Sequence, residues 1–181
     1  MKLKLLQMTA LTFLLVSSAF SAEVDLAQSS VTWEGTKVTG KHYGKIPLTK
    51  GEVELKDEKL VKGEFEVEIN KFTVDDLEGE WEQKFLGHLK GEDFFETKKF
   101  PKATLKITSV KGNKAEADLT IKGKTNKIKF DINQIGKHFV GVLQFDRTKF
   151  GMVYGSGDFF KGLGDKVVHN EVTLAFHFVV K

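Results

Sequence analysis

In the run LVKGEFEVEI, residues 60–69, the alternation is strict from Glu64 onward: Phe65, Val67 and Ile69 fall on one side of an extended chain, and Glu64, Glu66 and Glu68 on the other. Successive side chains of a β-strand point to opposite faces, so this pattern sets one face on a core and the other in water, as in an antiparallel sheet. The same period recurs outward from it, in Ile128, Phe130 and Ile132, and in Phe139, Gly141, Leu143 and Phe145. The last stretch sets Val172, Leu174, Phe176, Phe178 and Val180 against Thr173, Ala175, His177 and Val179. Residues 30–38, 39–46, 51–55, 103–110 and 115–121 read as further strands, with turns at 57–59, 111–114 and 122–126. The expected fold is all-β with a short helical insertion: a closed antiparallel barrel of about eight strands, which leaves no open edge and can hold a small ligand.

The helical insertion lies in WEQKFLGHLKGEDFFETKKFP, residues 81–101, where the apolar period changes. Trp81, Phe85 and Leu89 stand at i, i+4 and i+8 with Leu86 beside them, one apolar stripe of a helix that Gly91 ends. Residues 73–76 (Thr-Val-Asp-Asp) offer capping side chains, and Asp75, Asp76, Glu78 and Glu80 suit the positive end of the helix dipole. A helix this rich in aromatics must bury its stripe, and the reading is a lid or plug on the barrel.

Residues 1–22 (MKLKLLQMTALTFLLVSSAFSA) have the order of a secretory leader: Lys2 and Lys4, an apolar run from Leu5 to Val16, then mostly small residues. The apolar run is too short for a membrane anchor. Residues 23–181 are expected to form one domain, periplasmic or secreted, with no integral membrane segment in the mature chain. The formal charge of +3 falls to +1 once Lys2 and Lys4 leave, with Lys and Glu interspersed, which is no nucleic-acid footprint. The chain has no cysteine, so neither a disulfide framework nor a lipoprotein anchor is expected, and stability must come from packing.

Among the motifs that carry chemistry, the chain shows no G-x-S-x-G elbow, P-loop, H-E-x-x-H or cysteine nucleophile. Gly151, Gly155, Gly157, Gly162 and Gly164 follow no dinucleotide pattern and read as a flexible or tightly turned loop. No enzymatic activity, metal site or cofactor is expected. Of five histidines, His88 stands out on the helix; it reads first as a polar anchor of the helix to the barrel rim, then as a contact to a ligand headgroup, then as a metal or catalytic group. The chain has 16 Phe against 2 Tyr and 2 Trp, and although most must be core, Phe94, Phe95, Phe150, Phe159 and Phe160 lie in connections, where they suit the mouth of an apolar pocket.

These residues resemble the YceI family of lipocalin-like exported proteins. The segment 88–95 (HLKGEDFF), followed by 99–104 (KFPKAT), is similar to the family's H-L-(K/R)-x-x-D-F-(F/L) and (Y/F)-P-x-A-x-F, with Leu105 where an aromatic is common. Residues 118–125 (DLTIKGKT), 146–151 (DRTKFG), 163–167 (LGDKV) and 40–44 (GKHYG) resemble further segments of it, with Ala117 or Asp118 in place of a usual Gly. The resemblance implies a barrel with a helix at one end and a long apolar pore, often in a homodimer, whose ligand is a polyisoprenoid or another fatty amphiphile. The expected ligand-binding residues are Trp81, Phe85, His88, Leu89, Phe94, Phe95, Phe130, Phe145, Arg147, Phe150 and Phe176, with His88 and Arg147 toward a polar headgroup. The rival readings are an envelope stress or partner-binding protein whose interior is merely packed, and a hydrolase or metal enzyme using His88 and Asp93.

Overall fold

The structure, a computed structural model, describes residues 18–181. Most of the expected leader, residues 1–17, lies outside the described residues. Ten strands follow in the order β1 (Ala19–Glu23), β2 (Ser30–Lys37), β3 (Gly40–Lys45), β4 (Leu48–Lys56), β5 (Lys59–Glu68), then β6 (Lys102–Lys111), β7 (Lys114–Ile121), β8 (Lys124–Ile135), β9 (His138–Asp146) and β10 (Val168–Val179). The one α-helix among the described residues, α1 (Gly79–Lys90), stands between β5 and β6.

The hydrogen-bonded order is β1-β4-β5-β6-β7-β8-β9-β10-β2-β3, antiparallel throughout. The expected all-β class with one short helix is what the chain adopts, but the closed barrel of about eight strands is corrected to a curled half-barrel of ten. Two features of the N-terminal half account for the difference. The end of the stretch read as leader, residues 19–22, together with Glu23, pairs with β4 from Ala19↔Lys56 to Glu23↔Glu52. The sheet then meets itself only at a point, through an isolated bridge between Val24 and Val180, with Asp25 N–H donating to Val179 O at 2.7 Å.

Register follows from the alternation. On the inner face Phe65 stands opposite Leu105, Leu105 opposite Leu119, and bulky Phe130 and Ile128 opposite small Ala115 and Ala117. On the outer face the charges pair across strands, Lys106 to Glu64 at 2.9 Å, Lys102 to Glu66 at 2.8 Å and Lys129 to Glu116 at 2.7 Å. Such exposed pairs contribute little stability, but a one-residue slip would put them inside, so they reinforce the register. Part of the interior is closed by rings: Phe178 stacks on Phe139 with centroids 4.7 Å apart and meets Phe65 at 4.8 Å.

The free edge of β3 is covered rather than left open. Residues 73–76, expected as helix caps, run beside it: Thr73 N–H donates to Lys45 O (2.9 Å), Asp75 N–H to Tyr43 O (2.8 Å), and Trp33 Nε1–H to Thr73 O (2.9 Å). The helix starts later than expected, with Glu78 at its N-cap, and ends at Gly91 as expected. Gly44 makes this strap possible, because a Cβ there would stand 2.0 Å from Thr73 O. Gly44→Ala is therefore expected to push the strap off β3 and cost about 3 kcal/mol, while Gly87→Ala, in open space on the helix, should be neutral or stabilise by up to about 1 kcal/mol. Urea unfolding of the two variants checks both; equal stabilities would contradict the account of the strap.

Candidate functional site

Between the inner face of the sheet and α1 lies a cavity of about 590 Å³ with a predominantly apolar wall. That volume is within the range of small-ligand sites. Taking roughly 30 Å³ per non-hydrogen atom, the share of one water molecule, it holds about twenty such atoms. Several exposed members of its lining, Lys37, Thr39, Asp165 and Lys166, lie at the β2–β3 turn and the 3₁₀ turn Gly164–Lys166, where the cavity reaches the surface.

Of the eleven residues expected at a ligand, nine line this space: Phe85, His88, Leu89, Phe94 and Phe95 from α1 and the turns after it, Phe130, Phe145 and Phe176 from the sheet, and Arg147 just past β9. Two do not. Trp81 is 73% exposed on the outer side of the first helical turn, its ring beneath Lys84 Nζ; the apolar stripe therefore begins at Phe85. Phe150 is buried behind the wall, edge-on to Phe145 at 5.5 Å. Phe159 and Phe160, grouped with them as connection aromatics, point to solvent.

The helix is held over the sheet by a tie that sequence patterns do not reveal. His42 on β3 contacts Asp76 through Nδ1 and Oδ2 at 2.8 Å, and its ring packs on Phe85 of α1 with centroids 4.3 Å apart. Asp76 also accepts from Tyr43 N–H at 3.1 Å. Burial pushes the Asp76 carboxyl up, but the Tyr43 N–H and the His42 hydrogen bond and charge together overcome it and hold it below its ordinary 3.8. A lowered carboxyl stabilises the fold above its ordinary pKa, and the contribution is lost as pH falls through the folded value. The stability difference between the wild type and Asp76→Asn should therefore shrink steadily below about pH 4. Chemical denaturation at several pH values measures it; a difference independent of pH would show that the carboxylate is not held this way.

Arg147 opens the 3₁₀ turn Arg147–Phe150 and is 2% exposed. Its guanidinium donates to three main-chain carbonyls: Nε to His169 (3.0 Å), Nη2 to Val168 (2.9 Å) and Nη1 to Met152. It thus fastens the β9–β10 connection to the start of β10. Gly151 and Gly155, both at positive φ, allow that connection its tight turns, so of the two expected readings it is the tightly turned loop. Burial lowers the guanidinium pKa, opposed by the field of Asp146.

His88 meets Phe94 edge-on at 5.0 Å and Tyr154 at 4.5 Å. Its Nε2 is buried with no hydrogen-bond partner, so the expected polar anchor is here made by ring packing rather than by that nitrogen. Tyr154, Trp33 and Met152 belong to the lining and carry no motif that would have marked them; His42, also in the lining, lies in the family-like segment 40–44 but is not singled out by it. Among the described residues no group of three His, Asp or Glu side chains is placed to hold a metal ion.

A curled antiparallel sheet around an apolar cavity, with a helix across it, is a lipocalin-like architecture. The chain belongs to the family of YceI-like domains, whose model matches residues 23–180. Among solved structures it is similar to BcnA of Burkholderia cenocepacia, with a TM-score of 0.66 and 26% identity over 87% of this chain and 99% of that one. It also resembles a polyisoprenoid binding domain from Saccharophagus degradans, with a TM-score of 0.59 and 11% identity, covering 91% and 99% of the two chains. The Campylobacter jejuni YceI protein aligns with a TM-score of 0.52 and 15% identity, covering 100% and 91%. At those identities the last two show the fold alone. A curated UPF0312 protein of Staphylococcus aureus is 53% identical over 45 residues, which cover 25% of this chain and 26% of that relative.

Proposed function

We propose that this chain is an exported carrier that sequesters one long-chain isoprenoid or similar amphiphile with its tail in the cavity. The observation that carries the reading is a continuous apolar space of about 590 Å³ that the protein's own phenylalanines line without filling. Burying about ten methylene groups there contributes roughly 8 kcal/mol before ordering costs, enough for tight binding without a charged contact. The fold shared with a domain described as binding polyisoprenoids supports the ligand class. The leader composition of residues 1–22 supports a periplasmic or secreted site of action. Incubation with a bacterial lipid extract, followed by native mass spectrometry, should show a single adduct whose apolar part is about twenty non-hydrogen atoms long.

A second reading, a partner-binding protein, draws on the outer face of β9, where exposed Val142 stands opposite exposed Ala175 and Val140 is also exposed. Size-exclusion chromatography with crosslinking, in which a specific complex appears and no lipid does, would favour it.

A further inference from the structure

Resting on the carrier reading, we propose that the wall beside Phe94 is an anion subsite, so that the ligand is an amphiphile with a compact anionic head, a carboxylate or a phosphate monoester. The first observation is a buried cation that makes no ion pair, although the field of Asp146 reaches it. Arg147 lines the cavity at 2% exposure, and among the described residues no carboxylate forms an ion pair with it. Asp146, next to it in the chain, turns its Oδ1 to the N–H and hydroxyl of Thr148. Buried charges are ordinarily paired, because removing an ion from water is costly unless an opposite charge compensates.

The second observation is independent of the first. His88 Nε2 is enclosed and unpartnered, and a buried polar atom without a hydrogen bond is costly. Both groups flank one ring, the Arg147 guanidinium 5.7 Å and the His88 ring 5.0 Å from the centre of Phe94. A head placed there would receive the field of Arg147 and, once the His88 ring turns to open its enclosed Nε2 to the cavity, a hydrogen bond from it, with main-chain carbonyls already holding the guanidinium in position. The tail would run along Phe145, Phe130 and Phe176. The carbonyls alone satisfy three guanidinium donors but bring no negative charge, which is what the ligand would add.

The probes are oleate, its uncharged isostere methyl oleate, and farnesyl monophosphate, titrated calorimetrically into the full chain below their aggregation thresholds. Oleate or farnesyl monophosphate is expected to bind at least tenfold more tightly than methyl oleate, the size of one charge-assisted hydrogen bond; which of the two is tighter separates carboxylate from phosphate. His88→Phe should cut the anion-to-ester ratio at least threefold, whereas Lys37→Ala with Lys166→Ala, at the opening, should leave it within twofold. Arg147 is kept, since it also fastens the loop. Methyl oleate binding as well as the anions, or a ratio that disappears with the two lysines, overturns the subsite while the carrier reading stands. Failure of all three probes to bind overturns both.

Discussion

Val172→Phe is expected to lower the affinity for a ligand that fills the cavity by about a hundredfold while leaving the fold intact. Val172 lies on the inner face of β10, opposite Gly35 of β2 and Phe145 of β9, and lines the cavity. Phenylalanine adds about four carbon atoms to the wall, and a tail displaced by that length loses roughly 3 kcal/mol of apolar burial. In a packed core the same change would strain its neighbours and destabilise. Here it grows into empty space, so the unfolding midpoint in urea should stay within about 1 kcal/mol of the wild type or rise. Ligands shorter by about four carbons should bind both proteins alike. Unchanged affinity for the longest ligand would mean that the tail lies elsewhere; a loss of stability would mean that the space is not there.

Arg147→Met is expected to be the most destabilising single substitution at the site, by about 4 kcal/mol, the range for removing a buried charged hydrogen-bonding group. Methionine has a similar stem but no donor, so the carbonyls of His169, Val168 and Met152 all lose their partner at once. For a chain of this size the melting temperature should fall by roughly 10 °C. The first region to loosen should be the β9–β10 connection, seen as faster amide exchange or proteolysis in residues 151–163. Arg147→Lys should recover only a small part, because a single ammonium cannot reach three diverging carbonyls as a planar fork does. A loss below about 1 kcal/mol in Arg147→Met would show that water or a rearranged loop satisfies those carbonyls.

Local periodicity carried much of the architecture. The alternation in residues 60–69, and again from Val172 to Val180, placed the inward rows correctly because a half-buried strand has only one register that hides its apolar side. The helix and its stop at Gly91 were legible for the same kind of reason. The strand count was not, since β1 is built from small residues that also make a leader, and pairing is a property of two segments rather than one. Nor was the strap at residues 73–76, whose Thr and Asp satisfy a strand edge as readily as a helix end. The site divides along the same line. Aromatics on strands and helix could be placed on the cavity side by period alone, but Trp81 shows that one more turn of the helix projects beyond the sheet it covers. The pairing of His42 with Asp76, 34 positions apart, and the three carbonyls around Arg147 depend on tertiary approach, which no local pattern encodes.

The most direct test of the lipid-carrier reading is native mass spectrometry of the wild type and Val172→Phe after exposure to the same lipid extract. One bound amphiphile is expected on the wild type, with an apolar portion near twenty non-hydrogen atoms, and a shift of the variant to shorter-tailed species or to none. A wild-type spectrum free of lipid, or the same adduct in the same amount on both proteins, would contradict that reading.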